Sequence, residues 1–248
     1  IDTVLDEITK LTGKDPTVTG MEIYTCMNQT IQNQIEDIQN SESTVVFPDD
    51  LMEIGIIAEN NQSGEVVAIG GGRNYDGARL LNRATMNYKQ PGSSVKPLLS
   101  YALAFEYLGY SLDEVLLDKP FTYPMESMVL VNASGNYAGD VTIKDAVGSS
   151  LNIPAILTLQ RVVDAVGRDK VVNYLNSIGF TRVTKDNFHL SFAIGGTLFE
   201  TTVKELAGAH AMLINGGVYN EPHTIARIVM QDGTEYYPQN QNHQVLSP

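Results

Sequence analysis

The chain has 248 residues, 43% of them hydrophobic, and a formal net charge of −13. It is long enough to bury a sizeable core in one large domain or two small ones. Its acidity argues against nucleic acid or an anionic membrane surface as a partner. The single cysteine, Cys26, excludes an intramolecular disulfide and a cysteine metal cluster. The histidines lack metal-ligand spacing, so no metal site is expected.

Asp2–Leu11 reads as a short amphipathic helix with Val4, Leu5 and Ile8 on one face. A linker (Gly13–Gly20) and a short strand (Met21–Thr25) follow. Asn28–Asn40 is a polar helix whose buried stripe is Ile31, Ile35 and Ile38. The apolar runs Ile54–Glu59 and Glu65–Gly70 flank Asn-Asn-Gln-Ser-Gly and form a predicted hairpin. Gly70–Gly72 reads as a strand exit and tight turn, because no Gly-Lys-Ser/Thr ending makes it a phosphate loop.

The stretch Pro91-Gly-Ser-Ser-Val-Lys-Pro97 opens an apolar helical pattern (Leu98, Leu99, Ala102, Leu103, Phe105, Leu108) that stops at Gly109. Ser93 falls at the predicted helix N-terminus and Lys96 one turn later on the same face. Pro97 lies in the first turn, where a missing N–H costs little. A serine hydroxyl is a poor nucleophile until a base takes its proton. A lysine can be that base if burial beside the positive end of a helix dipole disfavours its ammonium form. Backbone N–H groups of the same turn can hold a developing oxyanion. This is the only Ser-x-x-Lys in the chain.

Asp113–Asp140 reads as loop, rich in Pro, Asn and Gly. Thr142 opens a short helix with Asp145 as its capping partner. Asn152, with Pro154 close behind, opens a helix to Val166. Further helices are expected at Val171–Ile178 and Thr202–Ile214, and a second hairpin at Thr224–Met230 and Glu235–Tyr237. A helical middle between strand pairs, without βαβ alternation, is an α+β pattern. Two Ser-x-Asn triplets occur. Ser134-Gly135-Asn136 sits in turn-rich sequence and reads as turn chemistry. Ser150-Leu151-Asn152 stands between two helices.

Four segments in order resemble the transpeptidase domain of class A (bifunctional) penicillin-binding proteins. Ile54–Tyr75 looks like that family's opening hairpin, and Leu81-Asn-Arg-Ala-Thr85 with Gln90–Pro97 like the segment carrying its first motif. Thr142–Ala155 is similar to the second-motif region. Phe192-Ala-Ile-Gly-Gly-Thr197, Glu205–Ala209 and Ile214–Pro222 resemble later helices and turns. The resemblance implies a penicilloyl serine transferase fold, a helical subdomain beside an antiparallel sheet. It implies a peptidoglycan D,D-transpeptidase that cross-links stem peptides ending in D-Ala-D-Ala, is acylated by β-lactams and uses no metal or organic cofactor. Ser93 would be the nucleophile, Lys96 its base, Ser150 a proton relay toward the leaving amine, and Asn152 a binder of the substrate's peptide backbone.

The family's third motif, Lys-Thr/Ser-Gly, does not occur in this sequence. The expectation is therefore of a chain lacking the C-terminal strands and third wall of the site, which puts activity of this chain alone in doubt. Residues 1–20 are expected to be the linker from a glycosyltransferase domain, and 21–248 the incomplete transpeptidase domain. The parent is expected at the extracytoplasmic face of the bacterial cell membrane, anchored by a segment absent here. The alternative is a non-catalytic β-lactam-sensing or scaffold module of the same fold.

Overall fold

A computed structural model describes residues 1–41, 44–122, 129–196, 198–238 and 242–248. The chain opens with α1 (Asp2–Thr12), β1 (Met21–Thr25), α2 (Gln29–Asn40), β2 (Ile56–Glu59) and β3 (Val66–Gly70). A 3₁₀ turn (Gly92–Val95) and a π-helical turn (Pro97–Tyr101) lead into α3 (Ala102–Leu108). Four short strands follow: β4 (Val115–Asp118), β5 (Phe121–Thr122), β6 (Val129–Leu130) and β7 (Gly139–Thr142). Then come α4 (Ile143–Gly148), α5 (Asn152–Val166), α6 (Arg168–Ser177) and a 3₁₀ turn at Leu190–Ile194. The chain closes with α7 (Val203–Ile214), β8 (Val218–Asn220), β9 (Ile225–Met230), β10 (Glu235–Tyr236) and β11 (Asn242–Gln244). The mixed helix-and-sheet class matches the α+β expectation. These elements pack as two units, one of Ile1–Tyr88 with Thr202–Val245, the other of Lys89–Thr201 with Leu246–Pro248.

In the first unit β1, β9 and β10 form an antiparallel sheet, with Met21 opposite Met230 and Ile23 opposite Ile228. The apolar stripe of α1 lies on it: Ile8 is fully buried with Ile225 and Ile228, flanked by Val4, Leu5 and Leu11. Glu7 adds a polar tie, accepting from the Thr224 backbone N–H at 2.8 Å and its hydroxyl at 2.7 Å. The α1 part of residues 1–20, expected as a linker, is thus docked on this sheet. The predicted β2–β3 hairpin forms, pairing Ile57 with Ile69. On α2, whose first N–H groups are capped by Asn28, Gln32 bonds both backbone groups of Ile69. Gly70 does end a strand: a Cβ there would fall 2.6 Å from the Ile35 side chain. The α7 start carries a full capping box between Thr202 and Glu205.

In the second unit Tyr101, Leu116, Ile143, Ala146 and Ala155 form a buried cluster joining the π-helical turn, β4, α4 and α5. The Tyr174 hydroxyl donates to the Leu98 carbonyl at 2.8 Å, capping the widened turn from α6. Phe192 stacks on Phe199, with ring centroids 4.8 Å apart, and Phe180 meets Phe199 edge-on. Two sequence readings are corrected here. The stretch read as loop contains β4 paired with β7 and β5 paired with β6, although residues 123–128 lie outside those described. Strands of two to four residues are too short to show a period of two. The helix expected to open at Ser93 opens instead as a 3₁₀ turn followed by a π-helical one, and becomes α only at Ala102.

Candidate active site

The change of helix type alters how Ser93 and Lys96 relate. In a 3₁₀ turn residues i and i+3 eclipse, and the Lys96 N–H closes that turn on the Ser93 carbonyl. The two side chains therefore leave one ridge, Ser93 exposed and Lys96 only 2% exposed. The turn is braced from outside by Gly195, which has φ 62° and whose Cβ, if it had one, would sit 2.3 Å from the Gly92 backbone nitrogen. Gly195 is thus a packing element of this turn, while Gly196 lies against Ser191; Thr197, the last residue of that resemblance segment, lies outside the described residues.

Lys96 Nζ donates to the Ser150 carbonyl, to the Ser150 hydroxyl at 3.1 Å and to the Asn152 amide oxygen at 2.8 Å. All three acceptors are neutral oxygens. Burial, with no carboxylate beside the amine among the described residues, pushes the pKa of Lys96 down to about 8. Among these partners only the Ser150 hydroxyl can reverse its role. Once the amine is neutral, it can donate to the nitrogen lone pair, whereas a carbonyl or amide oxygen only accepts. Ser150 reaches this position by adopting φ 50°, a left-handed conformation unusual for a residue with a Cβ.

Asn152 is the first residue of α5 but not its cap. Leu151 occupies the cap position without a side-chain bond, and the Asn152 amide is committed elsewhere. Its Nδ2 donates to the Val131 carbonyl at 2.9 Å, which turns Oδ1 toward Lys96. The Asn152 backbone N–H donates to Asn132 Oδ1 at 2.7 Å. The structure therefore brings Lys96, Ser150 and Asn152 together, with Ser93 one 3₁₀ turn away; among the described residues the Ser93 hydroxyl makes no hydrogen bond to Lys96. Ser134-Gly135-Asn136 is turn chemistry, Asn136 N–H donating to Ser134 Oγ at 3.2 Å. Asn132 was not legible as a site residue, because nothing in its neighbourhood marks a partner 20 positions downstream. No group of three or more potential metal-ligating side chains occurs among the described residues.

Residues 54–248 match the family model described as the penicillin-binding protein transpeptidase domain. Penicillin-binding protein 1A/1B of Bacillus subtilis is 34% identical over 95% of this chain and 25% of its own length. Penicillin-binding protein 1A of Streptococcus oralis is 32% identical over 93% of this chain and 37% of its own. The chain thus spans roughly a third or less of these relatives. The crystal structure of penicillin-binding protein 1A from Haemophilus influenzae matches with TM-score 0.61 and 30% identity over 77% of this chain and 28% of that one. The fold is shared with PonA1 of Mycobacterium tuberculosis, solved with penicillin V, at TM-score 0.81 and 19% identity over 99% of this chain and 65% of that one. With the fold, the family model and the Ser-x-x-Lys and Ser-x-Asn geometry in agreement, the chain belongs to the penicillin-binding protein transpeptidase family.

Proposed function

We propose that this chain carries the acylation centre of a peptidoglycan D,D-transpeptidase. Ser93 Oγ bonds to the carbonyl carbon between two terminal D-alanines while its proton passes to neutral Lys96. The C–N bond then breaks, and the proton travels through the Ser150 hydroxyl to the departing D-alanine amine, each move crossing one hydrogen bond. An amine on a neighbouring stem peptide next attacks the acyl-serine and frees Ser93. Asn152, anchored at the start of α5, offers the substrate backbone the second amide N–H and the second oxygen lone pair that its bonds to Val131 and Lys96 leave over. β-Lactams acylate the same serine because they imitate the dipeptide.

The observation that carries this reading is the Lys96 amine, buried among three neutral oxygens one 3₁₀ turn from an exposed serine. A lysine kept for charge alone is better placed in water or beside a carboxylate. We assign residues 1–20 to a linker from a preceding glycosyltransferase domain and 21–248 to the transpeptidase domain. The parent is placed at the extracytoplasmic face of the bacterial membrane, held by a segment outside this chain. Among the described residues no helix is long and apolar enough to cross a membrane. The test is a fluorescent penicillin label followed with and without an excess amine acceptor. Formation and transfer of the adduct is expected. A permanent adduct points to a sensor, and no adduct to a scaffold.

A further inference from the structure

Behind Asn152 lies a polar network that the proposed chemistry does not use. Asp118, at the end of β4, is 1% exposed, and Asn132, in the turn after β6, is 3% exposed. Asn132 Nδ2 donates to both Asp118 oxygens, at 2.9 and 2.8 Å, and to the Asn136 carbonyl at 2.9 Å. Asp118 also accepts from the Ala138 N–H at 2.8 Å. A buried carboxylate with amide donors and, among the described residues, no cation beside it is costly to maintain, which asks what its placement achieves.

The answer is direction. Three acceptors surround one end of the Asn132 amide, so that end must be the NH₂ group and the oxygen must face away. The oxygen meets the first N–H of α5, on Asn152. Val131, the residue before Asn132, receives the Asn152 side-chain NH₂. One short segment thus fixes the backbone and the side chain of Asn152 together, leaving Asn152 Oδ1 a single orientation, toward Lys96 Nζ.

We propose that Asp118 and Asn132 are positioning residues for acyl transfer: the carboxylate orients the Asn132 amide, which orients Asn152, which aims the Lys96 amine. This rests on the assignment of Ser93 and Lys96 to acylation. Neither residue touches the reacting atoms. The arrangement makes the donor–acceptor order matter more than either residue alone. Asp118→Asn turns an acceptor into a group whose own NH₂ faces that of Asn132, favouring a flip that sets donor against donor at the Asn152 N–H. The exchange Asp118→Asn with Asn132→Asp restores the order in part: the new amide donates to the new carboxylate and the latter accepts from Asn152, although it also faces the Asn136 carbonyl that Asn132 had satisfied.

The experiment measures penicillin acylation rate against pH, with a melting curve for each variant, in the full protein that carries this chain. Asn132→Ala and Asp118→Asn are expected to slow acylation by about 10- to 100-fold, the scale of a misplaced catalytic group. They should also move the alkaline-going limb upward from about pH 8, as the loosened amine becomes more hydrated. The exchange variant is expected to recover part of the rate lost in Asp118→Asn, the Asn136 carbonyl being left without its donor. A purely structural role lowers melting temperature without moving the limb. Unchanged rate and limb in folded Asn132→Ala, or an exchange variant no better than Asp118→Asn, overturns the proposal. Ser93→Ala runs alongside: undiminished labelling there overturns the underlying assignment instead.

Discussion

The Lys96 amine and the Asn152 amide oxygen stand 2.8 Å apart, joining the turn that carries Ser93 to the first residue of α5. The contact makes the protonation of Lys96 a property of its surroundings. It also predicts how the site responds when the amine is replaced.

Lys96→Arg keeps the charge but removes the base, since guanidinium stays protonated near neutral pH. Acylation is expected to fall by about 100-fold or more, measured by stopped-flow with a chromogenic β-lactam. In the unsubstituted protein the rate should climb as pH rises through about 8. Stability follows the same group. Between about 8 and the ordinary 10.5 the unfolded chain binds the proton that the folded chain has released, so the Lys96 contribution makes stability rise with pH across that window. A near-normal rate in Lys96→Arg shows that the lysine serves only as an electrostatic partner.

Gly195→Ala places a Cβ 2.3 Å from the Gly92 backbone at a φ of 62°. Backbone cannot rotate out of the way as a flexible side chain can. The substitution should destabilise by about 1–3 kcal/mol and slow acylation by displacing the Ser93 turn. Calorimetry with the same rate assay checks both.

Glu59 on β2 is largely buried, with no hydrogen-bond partner for either carboxylate oxygen among the described residues. Burial pushes its pKa up to about 7, the nearby Lys204 charge offsetting only part of this. The folded chain therefore keeps a proton that the unfolded chain loses, and stability falls as pH rises from 4.5 through about 7. Glu59→Gln should be more stable at pH 8, by on the order of 1 kcal/mol after allowing for solvent screening, and indistinguishable at pH 4. Denaturant melts at the two pH values decide it.

Ile8→Ala removes a fully buried side chain between α1 and the Ile225–Ile228 face. It should cost about 2–5 kcal/mol. A change within 0.5 kcal/mol would show that α1 is a tether and not part of the packed unit.

The sequence made the chemistry legible where residue type and spacing are local. Ser93, Lys96, Ser150 and Asn152 lie in two short windows beside helix starts, and Gly, Pro and Asn mark those starts. The Thr142–Asp145 cap and the second hairpin were readable for the same reason. What stayed hidden depends on pairing across distance. The strands β4 to β7 are too short to show a period, so Asp118 and Asn132 looked like loop residues. Helix type at Ser93 was equally invisible, since the 3₁₀ turn packs against Gly195, about a hundred residues later. The docking of α1 needed β9, which lies near the opposite end of the sequence.

The central claim is that Ser93 is the residue that becomes acylated. Penicillin labelling of the protein carrying this chain, digestion and mass spectrometry test it directly. One adduct is expected, on the peptide holding Ser93, absent in Ser93→Ala. An adduct on another residue, or equal labelling of Ser93→Ala, contradicts the account.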